Sequence, residues 1–256
     1  MPRRAESGPE LALPPVMPDA SIPTDSTDEL LAGPRMFADR RAAGRLLAQA
    51  LIHHAGTNAI VLGLPRGGVP VADEIARVLG GTVDVWVVRK LGAPIQRELG
   101  MGAIAEGPAV VLDRATVRLL GVTSAQLLGV ARREMAEIRR RVERFRGDRP
   151  LPELRGRTVI LVDDGIATGG TMRAAIRAVR KREPARLVVA APVAAPDIVD
   201  ALRREVDEVV CLHQPEDLYA IGLWYEDFRQ VSNEEVGRIL ERAARDPDAA
   251  SRGGIS

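Results

Sequence analysis

The chain has 256 residues, 36 lysines and arginines against 35 aspartates and glutamates, and one cysteine, Cys211. A net charge of +1 excludes a generally basic polyanion binder. The lone cysteine excludes an intrachain disulfide, and the longest apolar run, 187–196, is roughly half a membrane span.

At the N-terminus Arg3 and Arg4 lead into Glu6, Glu10 and several prolines rather than an apolar signal core, so the expectation is a soluble cytoplasmic protein with no membrane partner. Residues 1–30 hold six acids, two arginines and six of the eighteen prolines, a composition that predicts a disordered tail. The folded domain is then expected over 31–240, with a second tail at 241–256. From Met36 to Ala55, Phe37, Leu47 and Leu51 fall at helical spacing, and His53 and His54 sit at the predicted C-terminal end, where imidazoles suit the dipole.

A repeating alternation follows. Residues 59–63 form an apolar run ended by Pro65 and a glycine pair, and 69–79 read as a helix closed by Gly80 and Gly81. Residues 83–88 are β-branched and end in charge, 109–112 are a third short strand, and 158–162 are a buried one. A helix over about 170–182, strands at 187–191 and 208–212, and a helix near 196–204 complete the series. This predicts an α/β fold, a mostly parallel sheet flanked by helices.

One element stands outside the alternation. Leu127, Ala131, Met135, Ile138, Val142 and Phe145 share a helical face, and Thr123 or Ser124 can cap its start, so a long amphipathic helix is inserted at about 122–149. Residues 132–149 carry eight arginines and four acids; the interspersed glutamates favour a solvated face over a nucleic-acid contact. Arginine counts carry little weight in a chain with 34 arginines and two lysines, Lys90 and Lys181.

The segment 159–172, VILVDDGIATGGTM, carries the chemistry. A buried strand delivers two adjacent carboxylates, Asp163 and Asp164, to its C-terminal end, where ligands of open α/β sheets bind. A loop of glycines and hydroxyls then opens into a helix, whose free N-terminal amides suit a phosphate. Paired acids suit a diol or a metal ion instead. A sugar with a phosphate at one end and hydroxyls further along satisfies both halves. A nucleotide P-loop and a dinucleotide fingerprint are excluded by the absence of their glycine patterns.

This stretch resembles the phosphoribosyl pyrophosphate signature of the type I phosphoribosyltransferase family, and the resemblance covers roughly 36–230. It implies that Asp163 and Asp164 hold the ribose hydroxyls and a magnesium ion. It implies that Gly165, Ala167, Thr168, Gly169, Gly170 and Thr171 wrap the 5′-phosphate. Arg66, Gly67 and Gly68 follow the first core strand, where the family keeps its pyrophosphate loop. Arg89 and Lys90 end the second strand, ahead of a segment that resembles the family's mobile catalytic loop and contains Glu98 and Glu106. The resemblance thus implies a small hood, Arg66, Arg89 and Lys90 on pyrophosphate, and Glu98 or Glu106 exchanging a proton with the base. The segment 215–225 loosely resembles the base-contacting segment of hypoxanthine-guanine members, with Tyr219 and Ile221 at the base; a packed aromatic cluster is the alternative reading of its aromatics.

The implied reaction transfers phosphoribosyl to a nucleobase or similar nitrogen acceptor, as in purine salvage, in a homo-oligomer without a nucleic-acid partner. Ala167 stands where hypoxanthine-guanine members carry an acid, and the run 167–172 is closer to adenine phosphoribosyltransferases, so the acceptor stays open. The rival expectation is a regulator that senses phosphoribosyl pyrophosphate and binds RNA or protein.

Overall fold

Residues 37–96, 99–107 and 109–245 are described here by a computed structural model. The expected tail at 1–30 and Glu98 lie outside the described residues. In chain order the elements are α1 (Arg40–Ala50), β1 (Ile60–Gly63), α2 (Gly68–Leu79), β2 (Thr82–Val85), β3 (Val88–Gly92), β4 (Gly100–Ala105), β5 (Ala109–Leu112), α3 (Arg114–Leu119), α4 (Ser124–Arg146), β6 (Thr158–Val162), α5 (Gly170–Arg180), β7 (Arg186–Val193), α6 (Pro196–Arg203), β8 (Glu208–His213) and α7 (Asn233–Arg245). Short 3₁₀ turns occupy Ile52–His54 and Ile221–Trp224.

Five strands form a parallel sheet in the order β2-β1-β6-β7-β8. Its central strands are apolar on both faces because both faces are covered. Ile60, Leu62, Leu161 and Val189 meet Met172, Ile176 and Val179 of α5 on one side. Val61, Ile160, Val162 and Val188 meet Leu47 and Leu51, with Val71 and Ile75 of α2, on the other. The α/β reading of the alternation is therefore realised, with helices on both faces of the sheet.

A second, antiparallel sheet of order β3-β4-β5 stands apart from the first. The single strand expected at 83–88 is instead interrupted: β2 ends at Val85, and buried Trp86 and Val87 carry the chain across to β3. Apolar content alone does not reveal that break. The expected helix reaching Ala55 also stops at Ala50, and residues 241–245, expected in a C-terminal tail, belong to α7.

The inserted helix α4 starts in a capping box, Thr123 with Gln126. Its apolar face, with Val130, Ile138 and Phe145 buried, packs on Leu91, Met101 and Ile104 of the hairpin and on Val236, Ile239 and Leu240 of α7. Its last residue, Arg146, is buried. It bonds both oxygens of Asp84 at 3.2 Å, Glu106 Oε1 at 2.6 Å and the Val85 carbonyl at 2.9 Å. Burial pushes the Asp84 carboxyl up more than Arg146 draws it down. Removing one member of such a cluster strands a buried charge. Arg146→Ala should therefore lower stability by about 3–5 kcal/mol, measured by urea denaturation, whereas the exposed Arg140→Ala should change it by less than about 0.5 kcal/mol.

His53 and His54 do more than face a helix dipole. His53 Nε2 and His54 Nε2 lie 2.8 and 3.0 Å from the two oxygens of Glu208 on β8, which Arg186 also contacts. Burial holds the His54 imidazole below its ordinary value despite that carboxylate. The unfolded chain therefore binds the His54 proton more readily, and stability is lost as pH falls below about 6.5. Equilibrium denaturation at pH 5.5 and 7.5 should show a smaller pH difference for His54→Gln than for the unmodified chain.

Candidate functional site

The site forms at the carboxyl ends of β1 and β6, adjacent and in register in the sheet. β6 ends at Val162, and the chain turns at once through Asp163 and Asp164. The loop after β1 folds against that turn, with Leu64 N donating to the Val162 carbonyl at 2.8 Å and Gly68 N donating to the Leu64 carbonyl at 3.0 Å. The approach leaves no space for side chains. A Cβ on Gly67 would lie 1.9 Å from Asp164 Oδ2, and one on Gly68 would lie 2.5 Å from the Val162 carbonyl oxygen. The glycine pair is thus a packing requirement of the acidic turn.

The two carboxylates have different surroundings. Asp164 Oδ2 accepts from Arg40 Nε at 2.6 Å, and both side chains are largely buried. Arg40 also donates to the Arg229 carbonyl at 2.9 Å, and its guanidinium lies over the Phe228 ring at 3.9 Å. Tyr225 Oη donates to the Asp164 carbonyl at 2.5 Å; burial pushes its hydroxyl far up, so it stays a donor. The sequence reading turns Asp164 toward sugar and metal, but one of its oxygens is committed to Arg40. Asp163 is half-buried and accepts from Asp164 N at 2.9 Å. Desolvation, together with the neighbouring Asp164 carboxylate, pushes its carboxyl well above the usual range. Two hard oxygen donors held this way fit a divalent cation, which would relieve both penalties.

Beyond the acids, Ile166 N donates to the Val193 carbonyl at 2.9 Å, anchoring the loop to β7. Gly165 lies under Ile221: a Cβ there would come within 2.4 Å of Ile221 Cγ2. Ala167 is exposed, and Gly169, at φ +71°, leads into α5. Thr168, Gly170 and Thr171 line a cavity of about 530 Å³ whose opposite wall is the hairpin, with Lys90, Gly100 and Ala103. Arg173 and Arg177, one turn apart on α5, add positive charge to the same cavity.

The hairpin separates two residues that the sequence placed together. Side chains alternate across a strand. Val88 packs toward α5 and Lys90 lines the cavity on that side, whereas Arg89 and Leu91 face α4. Arg89 Nε donates to Glu134 at 2.9 Å, so the two residues expected together on pyrophosphate lie on opposite faces of the strand, with Lys90 on the cavity side. Glu106, expected to exchange a proton with the base, accepts from Arg146 Nη1 at 2.6 Å. Arg66 points to α4 and lines a separate cavity there.

Of the predicted base residues, Tyr219 is 85% exposed and stays out of the aromatic cluster. Trp224, Tyr225 and Phe228 instead pack with Phe37 and His213, so a cluster of packed rings forms behind the acidic turn. Ile221 bridges that cluster and Gly165. Sequence reasoning missed Arg40 and Tyr225, since nothing local marks a helix-start arginine or a C-terminal tyrosine as partners of an acid more than sixty residues away.

Gly67→Ala should cost about 1–3 kcal/mol by overpacking, read by chemical denaturation. Gly170→Ala, where nothing lies within 4 Å of the added methyl, should stay within about 0.5 kcal/mol.

The model of the phosphoribosyl transferase domain matches residues 26–219. A Mycobacterium tuberculosis H37Rv protein, provisionally named a phosphoribosyl transferase, is 46% identical over 212 residues, which is 83% of this chain and 48% of that protein. The chain therefore spans about half the length of the curated relatives it matches. Among solved structures, TT1426 from Thermus thermophilus is 47% identical, with a TM-score of 0.70 over 80% of this chain and 98% of that one.

Proposed function

We propose, for a chain that belongs to the phosphoribosyl transferase domain family, that the site binds phosphoribosyl pyrophosphate and transfers its phosphoribosyl group to a nitrogen acceptor such as a nucleobase. The observation that carries this reading is the acidic turn of Asp163 and Asp164 running directly into the hydroxyl- and glycine-lined start of α5, closed beneath by Gly67 and Gly68. Asp163 takes the ribose hydroxyls, with Asp164 holding the turn through Arg40. Amides and hydroxyls of 167–171 take the 5′-phosphate at the helix N-terminus.

In the reaction the bond from ribose C1 to pyrophosphate breaks, with the electron pair leaving on the pyrophosphate. A bond from C1 to the acceptor nitrogen forms, and that nitrogen gives up its proton to solvent or a nearby base. Positive charge builds on the ribose ring and negative charge on the leaving group. Catalysis therefore comes from positioning and from stabilising the departing charge. Asp163, with the Asp164 oxygen that Arg40 does not take, would hold magnesium, which would neutralise pyrophosphate charge. Lys90, on the cavity wall opposite Thr168 and Thr171, supplies a further cation. The exposure of Tyr219 favours Ile221, seated on Gly165, as the contact nearer the acceptor.

Calorimetric titration with phosphoribosyl pyrophosphate and magnesium tests the reading. The unmodified chain should bind, and Asp163→Asn should bind roughly ten- to a hundredfold more weakly, the range of hydrogen bonds to a charged group, at an unchanged melting temperature. Undiminished affinity in that variant rejects the site. A screen of bases for pyrophosphate release then separates activities: release with a base supports transfer, and donor binding without release under any base supports a sensing role.

A further inference from the structure

The 3₁₀ turn at Ile52–His54 carries two adjacent histidines, and neighbouring residues of such a turn point about 120° apart. Both rings nonetheless converge, with centroids 4.2 Å apart, on the carboxylate of Glu208 at the start of β8. His53 Nε2 lies 2.8 Å from Glu208 Oε1, and His54 Nε2 lies 3.0 Å from Oε2. One ligand atom from each of the three residues lies within 4.8 Å of the other two. Two of the chain's three histidines thus meet an acid 154 positions beyond His54, while the third, His213, packs against Phe37 and Trp224.

Backbone contacts hold each side of this meeting in place. His54 N donates to the Leu51 carbonyl at 2.9 Å, Gly56 N to the Leu79 carbonyl at 3.3 Å, and Thr57 Oγ1 to the His54 carbonyl at 2.7 Å. Glu208 is fixed by the pairing of β8 with β7, opposite Val188. The His54 side chain is 5% exposed and the His53 side chain 52%, so one imidazole is rigidly seated and the other opens a path from solvent. Burial keeps the His54 imidazole in the neutral form that ligates a metal. A carboxylate has about four lone-pair positions. Half-exposed Arg186 donates to Glu208 Oε2 at 3.0 Å, in the manner of an outer-shell group that orients a ligating acid.

Two imidazoles with one carboxylate suit zinc, whereas magnesium prefers oxygen donors alone. Ligand atoms in a tetrahedral zinc shell stand about 3.3 Å apart for bonds of about 2.0–2.1 Å. An opening of a few tenths of an ångström therefore admits the ion, and the tautomer with hydrogen on Nδ1 turns both Nε2 lone pairs toward it. We propose that His53, His54 and Glu208 form a zinc site, with a fourth position left to water. It is a centre distinct from the acidic turn: Glu208 lies level with Ile160 in the sheet register, three residues before Asp163 and two strands across, and the two share no ligand. Zinc there clips the turn after α1 to β8, and it does so only in the folded chain.

The test uses the full chain with zinc as the probe, excess magnesium to occupy oxygen-only sites, and a chromophoric chelator as competitor. The unmodified chain should bind one zinc, and its melting temperature should rise with zinc and return on chelation, because the ion binds the folded state. His53→Ala and Glu208→Gln should each bind zinc at least roughly ten- to a hundredfold more weakly, the range for losing even an outer-shell partner, and should lose the zinc-dependent rise in melting temperature. Because His53 is half-exposed, its variant tests the site even if Glu208→Gln fails to fold. Asp163→Asn should bind zinc as the unmodified chain does. Failure of the unmodified chain to bind zinc under these conditions overturns the inference, and so does undiminished affinity in either ligand variant. Loss of zinc binding in Asp163→Asn would assign the ion to the acidic turn and overturn it as well.

Discussion

The ion pair between Arg40 and Asp164 is the constraint on which the site depends. It joins the start of α1 to the turn after β6, and through the Arg229 carbonyl and the Phe228 ring it brings the C-terminal segment to the same point. Gly67 lies directly against the paired carboxylate, so the loop after β1 takes its position from the same contact. A pair this buried is a weak source of net stability, because desolvation consumes most of the attraction. Its value is geometric: four segments far apart in sequence have one arrangement in which the carboxylate is satisfied. Asp163, one residue earlier, has no guanidinium partner of its own among the described residues and accepts from Asp164 N.

Much of this was legible in the sequence, and the limits are physical. Strand β6 and the loop after it could be read directly because one short segment holds the strand, both acids and the helix start. The parallel sheet was legible because strands buried on both faces read as unbroken apolar runs. The amphipathic period of α4 likewise announced a buried face, though not that its polar side meets the loop after β1. The hairpin was harder. Arg89 and Lys90 lie on opposite faces of β3, and that they do so follows from β3 running through both, after a crossover at Trp86 and Val87 that looks like continued strand. Residues such as Arg40 and Tyr225 were invisible because their meaning lies in partners supplied by tertiary structure. Tyr219 shows the limit of clustering in sequence: base contact and a packed cluster were both open for the four aromatics, and the backbone packs three of them inward while Tyr219 stays exposed.

The helix α4 is fastened at two points, by Glu134 to β3 and by Arg146 to β2 and the end of β4. The hairpin is therefore clasped on one face by α4 while its other face looks onto α5. One cavity lined by cations holds Lys90, Arg173 and Arg177, and another holds Arg66 with arginines of α4. With a chain charge near zero, the positive charge at these cavities is a local excess rather than a property of the whole surface.

The near absence of lysine has a practical consequence. The chain has two lysine amines, and both are exposed at opposite ends of α5: Lys90 across the cavity from its first residues, and Lys181 immediately after its last. An eleven-residue helix is about 16 Å long. Amine-directed dyes, acylating agents or crosslinkers therefore address two side chains separated by one rigid rod, one beside the ligand loop and the other remote from it. Labelling of Lys181 serves as an internal reference against which protection of Lys90 by a bound ligand can be read in a single mass spectrum.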